Sequence, residues 1–146
     1  MSDSSGNFRR TGKSANILFI DDDQDVLFTI NAALSSYSKE YNVEVCADAK
    51  EALKRFLEVE NNQNKKSDYD LVVTDLRMPG LNGIQLYQIL KALDSKVKIL
   101  FISALDLAQE IISILPNVEP GDIIRKPIEA SELVQIIKSS LSYDKA

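Results

Sequence analysis

A chain of 146 residues, 45% hydrophobic and 27% charged, has the balance of one ordinary globular domain, long enough for one sizeable core and too short for two. Its net charge of -5, from 22 acids against 17 bases, disfavours non-specific binding to nucleic acid, and the absence of histidine removes imidazole catalysis and histidine metal ligands. The single cysteine, Cys46, cannot form an intrachain disulfide and fits a reducing compartment, while no apolar run approaches the roughly 18 residues of a transmembrane helix, so membrane insertion is not expected.

Residues 1–15 are polar and carry Arg9, Arg10 and Lys13. They read as a disordered basic tail without the apolar centre of a signal peptide, and a cytoplasmic location is expected. Gly12-Lys13-Ser14 looks like half of a phosphate-binding loop, but five residues separate Gly12 from Gly6 where the motif has four, and no strand precedes it. Residues 16–20 read as a strand buried on both faces, because Ile17–Ile20 are continuously apolar. That strand runs into Asp21, Asp22 and Asp23. Two carboxylates ~4 Å apart repel by about 1 kcal/mol in water and about 4 kcal/mol at an effective dielectric near 20, so something must offset the crowding. Asp23 or a neighbour is placed to cap a helix over Asp25–Ser38 whose apolar positions include Val26, Ile30, Ala33, Leu34 and Tyr37.

Val43–Ala47 follows as a short strand, and Ala49–Glu60 as a helix with Leu53, Phe56 and Leu57 inward. Asn61–Asp68 is a polar loop. Leu71–Thr74 is a third apolar strand, ending at Asp75, and the turn from Met78 to Gly83 leads to a helix over Ile84–Leu93. Val97–Ile102 is a fourth strand, ending at Ser103-Ala104, and Leu105–Leu115 a very apolar helix. After a loop over Asn117–Asp122, Ile123–Ile124 forms a short fifth strand followed by Lys126-Pro127, and Ser131–Leu141 the last helix. Five strand–helix alternations joined by short connections predict an α/β domain over residues 16–142, with a doubly wound, five-stranded parallel sheet between two helical layers and a short tail at 143–146.

Taken singly, the polar residues at the strand ends have ordinary readings. Asp21–Asp23 cap a helix, Asp75 is a turn residue, Ser103 satisfies the end of a strand, Lys126 is a solvated lysine, Gly83 relieves close packing and Cys46 is a small core residue. If the strands are parallel, however, their carboxyl ends share one edge, where such sheets bind ligands. Three acids, a hydroxyl and an ammonium then converge. Oxygen donors without histidine or cysteine favour a hard cation, Mg2+ over Zn2+, and a bound dication offsets the repulsion among the acids.

The same residues carry a resemblance. The set IDD, LVVTDLRMPGLNG, ISA and RKP, in this order and spacing, resembles the receiver domain of two-component response regulators over residues 16–142. The resemblance implies a flavodoxin-like (βα)5 fold with strand order 2-1-3-4-5. It implies that Asp75 accepts a phosphoryl group from a sensor histidine kinase or a phosphotransfer protein. Mg2+ is then held by Asp21, Asp22, Asp75 and the backbone carbonyl of Arg77, while Ser103 and Lys126 assist at the phosphoryl oxygens and Pro127 follows a cis bond. Such a domain assists its own phosphorylation and dephosphorylation and is not an enzyme acting on a separate substrate.

The chain departs from the family at Ile123, where many receivers have a Tyr or Phe that rotates on phosphorylation. Leu107, Ile111 and Ile114 offer a second apolar stripe on the fourth helix, so the face of helix four, strand five and helix five is expected to bind a downstream partner or a second copy, as a homodimer, unless that helix is simply buried more deeply. With no output domain after Leu141, a protein complete in this form acts through contacts and not by direct DNA binding; a truncated one has the same sequence. Two other functions compete. One is a non-phosphorylated interaction module on the same fold. The other is a phosphatase of the haloacid dehalogenase type, whose Asp-x-Asp-x-Thr/Val pattern fails at Asp25.

Overall fold

The computed structural model describes residues 14–63 and 69–143. The tail expected at the N-terminus, save Ser14 and Ala15, the loop residues 64–68 and the last three residues lie outside the described residues. In chain order the elements are β1 (Ala15–Ile20), α1 (Gln24–Leu34), β2 (Tyr41–Cys46), α2 (Ala49–Gln63), β3 (Leu71–Asp75), α3 (Gly83–Leu93), β4 (Lys98–Ser103), α4 (Ala108–Ile114), β5 (Ile123–Arg125) and α5 (Ala130–Tyr143). Short 3-10 turns follow α1, at Ser35–Tyr37, and precede β5, at Pro120–Asp122.

All strand pairs are parallel, in the order β2-β1-β3-β4-β5, as expected. Alternate side chains of β1, β3 and β4 enter different cores, which is why these strands read as largely apolar runs. Leu18, Ile20, Val72, Ile99 and Phe101 face the layer of α2, α3 and α4, meeting Phe56, Leu86, Leu90 and Ile111. Ile17, Phe19, Val73, Leu100 and Ile102 face the layer of α1 and α5, meeting Leu27, Ile30, Leu133 and Ile137. Neighbouring strand ends lie level, with Ile20 beside Thr74, Asp75 beside Ile102 and Ser103 beside Arg125.

Three helices differ from expectation: the first, expected over Asp25–Ser38, ends at Leu34 with a separate 3-10 turn at Ser35–Tyr37, and α2 runs on to Gln63, through the start of the loop expected at Asn61–Asp68. Leu57 is 40% exposed instead of inward, because Ala49, Ala52 and Phe56 already fill the sheet-facing side of α2. The fourth helix is two turns long rather than three, starts at Ala108 without a side-chain cap, and does not present the expected stripe. Ile111 is buried and Leu107 packs on the core, leaving Ile114 (56% exposed) and, in the preceding loop, Leu105.

Candidate functional site

The three consecutive acids after β1 do different jobs. Asp23 is the N-cap of α1, its side chain accepting from Asp25 N at 2.9 Å. Asp21 is fully buried, with its own N–H bonded to Cys46 O on β2 and its Oδ1 accepting from Asp23 N at 2.9 Å. Asp22 is exposed. The opening crowd of like charge is thus partly dispersed by the turn, and Asp21 alone is held inside.

Asp75 ends β3 and is 6% exposed. Its Oδ1 accepts from Arg77 N at 3.4 Å, so the backbone of Arg77 turns toward the carboxylate while the side chain stays exposed. The close approach of α3 beneath depends on Gly83, where a Cβ would stand 2.5 Å from Asp75 O. Gly83 N donates to Leu76 O, and Asn82 caps α3 with Gln85 in a capping box. The MPGLNG segment therefore fixes the backbone of Asp75 from below and does not itself line the site.

Lys126 reaches back from beyond β5, after a strand-end bond from its N–H to Ser103 O and before a cis bond to Pro127. Its Nζ lies 3.1 Å from Asp21 Oδ2 and 3.5 Å from Asp75 Oδ2. Asp21, Asp22 and Asp75 each bring one oxygen within 4.8 Å of the others. Asp21 Oδ2 is buried, and its contact with Lys126 is an ion pair.

The electrostatics follow from this geometry. Burial, and then the charge on Asp21, push Asp75 up from 3.8 to about 6, against the opposing pull of Lys126 and Arg77 N. At about 6 the group is still roughly nine-tenths ionised at pH 7. Burial opposes the charge on Lys126, but Asp21 and Asp75 outweigh it and its pKa rises. Three carboxylates against one ammonium, with one buried oxygen among them, form a donor set that fits a hard, oxygen-liganded dication.

Ser103 is brought to the same edge, where its hydroxyl is bonded to the loop that follows β4. It is buried, and its Oγ donates to Leu105 O at 2.8 Å and accepts from Leu105 N at 3.0 Å. Ile123 is partly buried against the core. Sequence reasoning missed the surroundings of Lys126. A groove of about 420 Å3 runs from it between Pro127 and Ile128 on one side and Val26 and Thr29 of α1 on the other. Phe28 of the same helix is 75% exposed. The signal was present in sequence, since adjacent Leu27 and Phe28 cannot both face the core of one helix. A hollow of about 510 Å3 at the opposite edge of the sheet is lined by Lys98 and Asp122, which pair with each other at 3.1 Å, so it lacks the concentrated charge of the acidic rim.

Residues 17–138 match the family model of the response regulator receiver domain. The chain is 29% identical over 128 residues to the regulatory protein VanRB of Enterococcus faecalis, covering 88% of this chain and 53% of that protein. It thus spans about half of that relative's length. A crystal structure of a response regulator receiver domain protein from Clostridium thermocellum superposes with a TM-score of 0.72 at 26% identity, covering 90% of this chain and 97% of that one. Response regulator protein TrrA of Thermotoga maritima, solved in complex with Mg(2+)-BeF, superposes with a TM-score of 0.69 at 24% identity, covering 87% and 99%. Among the described residues no helix is long and apolar enough to cross a membrane. With that match across most of its length, on a parallel sheet of order 2-1-3-4-5, the chain belongs to the response regulator receiver domain family of two-component systems.

Proposed function

We propose that this domain is a phosphoacceptor switch in which Asp75 takes a phosphoryl group from the phosphohistidine of a sensor kinase or phosphotransfer protein. The observation that carries the reading is Lys126 Nζ lying between Asp21 and Asp75, with Asp22 completing a cluster of three acidic oxygens. An Asp75 oxygen forms the new P–O bond as the P–N bond breaks, and its electron pair returns to a protonated imidazole, which leaves neutral. Lys126 is already aimed at Asp75 and lends positive charge to the phosphoryl oxygens. Ser103 supplies a hydroxyl to them once it releases Leu105.

Mg2+ fits the cluster; Asp21, Asp22, Asp75 and the carbonyl of Arg77 would hold it, and it would supply charge neutralisation on the transferring group. The solved TrrA complex with Mg(2+)-BeF on the same fold supports this choice of ion. The groove beside Lys126 and the exposed Phe28 give the donor protein an apolar place to rest against α1. A cytoplasmic location, where such donors and Mg2+ are available, suits this role. Incubation with Mg2+ and acetyl phosphate, read by intact mass, should add one phosphoryl group. The addition should vanish in Asp75→Asn and on chelation of the metal. An unmodified wild-type mass under these conditions would favour the non-phosphorylated interaction module instead.

A further inference from the structure

In β5 the residue that hydrogen-bonds to the loop after β4 is Arg125. In the parallel pairing of β4 and β5, Ser103 stands opposite Arg125. Alternation places Ile123 and Arg125 on the same face of β5, the side that carries α4. Ile123 is packed there against the core, whereas Arg125 is exposed and its Nε donates to Ala104 O at 3.4 Å. Its side chain therefore crosses the end of β4 at the peptide next to Ser103.

If Asp75 is the acceptor, that peptide lies in the segment that rearranges when Ser103 turns to the phosphoryl group. Ser103 Oγ is engaged twice by Leu105, at 2.8 and 3.0 Å, and Leu105 O also accepts from Leu107 N at 3.0 Å. For the hydroxyl to turn to a phosphoryl group on Asp75, both Ser103–Leu105 bonds must open and the loop must shift. The bonds of Ser103 are exchanged in that shift, so their loss is offset by new ones. The bond from Arg125 is anchored on another strand and opposes the shift without compensation.

We propose that Arg125 is a latch that holds the Ala104 carbonyl and favours the resting position of the β4–α4 loop. The inference rests on the reading of Asp75 as acceptor and assigns the regulation of that site to strand five through a charged residue rather than an aromatic one. A single solvent-exposed hydrogen bond at 3.4 Å is weak, so the latch biases the loop by a small factor, about three-fold.

The test compares the wild type with Arg125→Met, which keeps the aliphatic stem, and Arg125→Lys, which keeps the charge without the Nε donor. Calorimetry would give the affinity for Mg2+ alone and then for beryllofluoride at saturating Mg2+. Hydrogen exchange would follow the Leu105 amide in the resting protein. Both variants should bind Mg2+ like the wild type, bind beryllofluoride about three-fold more tightly and exchange the Leu105 amide faster. Unchanged or weaker beryllofluoride binding in the Met variant would overturn the latch. Loss in Met restored by Lys would do the same, since it would make Arg125 an attractive charge. If the wild type bound no beryllofluoride, the acceptor reading would fail, and the Leu105 amide would still decide whether Arg125 restrains the loop.

Discussion

Asp75 is held in a setting that works against its own charge. Its pKa in the fold, about 6, lies above the ordinary 3.8, because burial and Asp21 both disfavour the carboxylate. A group raised in this way favours the folded state fully below 3.8, and that contribution is lost as pH rises through about 6. At pH 8 without metal, Asp75→Asn should therefore stabilise the domain, by on the order of 2 kcal/mol. The gain should shrink toward pH 5. Added Mg2+ should stabilise the wild type and narrow the difference. Urea unfolding at the two pH values checks this, and equal stability of wild type and variant at pH 8 would contradict it. The carboxylate proposed as the acceptor could be found in sequence from its place at a strand end. Its raised pKa could not, because that depends first on how deeply the carboxyl is buried and then on Asp21 being the one acid of three turned inward. Nor could the resting bonds of the Ser103 hydroxyl, which are set by the path of the loop after it.

At the scale of elements, strands were easier to read than helices. A strand covered on both faces is apolar throughout, and β1, β3 and β4 match the expected segments to within about a residue. A helix reveals its inward face only through contrast with a polar one. The segment from Leu105 to Leu115 offers little contrast, so its length, and the burial of Ile111, were set by the loop and the neighbouring core rather than by a visible stripe. The fourth helix accordingly gives less apolar surface to a partner than its composition suggests. The larger exposed apolar side chain is Phe28 on α1, the helix whose Val26 and Thr29 line the groove that leads to Lys126. Phe28→Ser should leave labelling by acetyl phosphate unchanged. It should slow transfer from a phosphohistidine-bearing kinase that labels the wild type by about ten-fold, as expected for an aromatic anchor in an interface. Parallel slowing with both donors would place Phe28 in the support of the site, and equal rates with both would remove it from the interface.

Across the whole molecule, one rule connects sequence to site. Parallel strands with level ends bring Asp21, Asp75, Ser103 and Lys126 from four separate stretches of chain to a single rim. That convergence is legible in the sequence, because strand polarity follows from the strand–helix alternation. What the alternation leaves open is how the rim reports its state, since Ile123 is packed in place and Arg125 crosses the loop instead. The central claim, that the rim readies one aspartyl oxygen to capture phosphorus, is tested most directly by finding the captured group. The Mg2+-dependent product should be reduced with borohydride, which converts an aspartyl phosphate to homoserine, and then digested and sequenced by mass spectrometry. The account predicts homoserine at position 75 and nowhere else. A phosphoryl group trapped at another aspartate, or one that survives in Asp75→Asn, would contradict it.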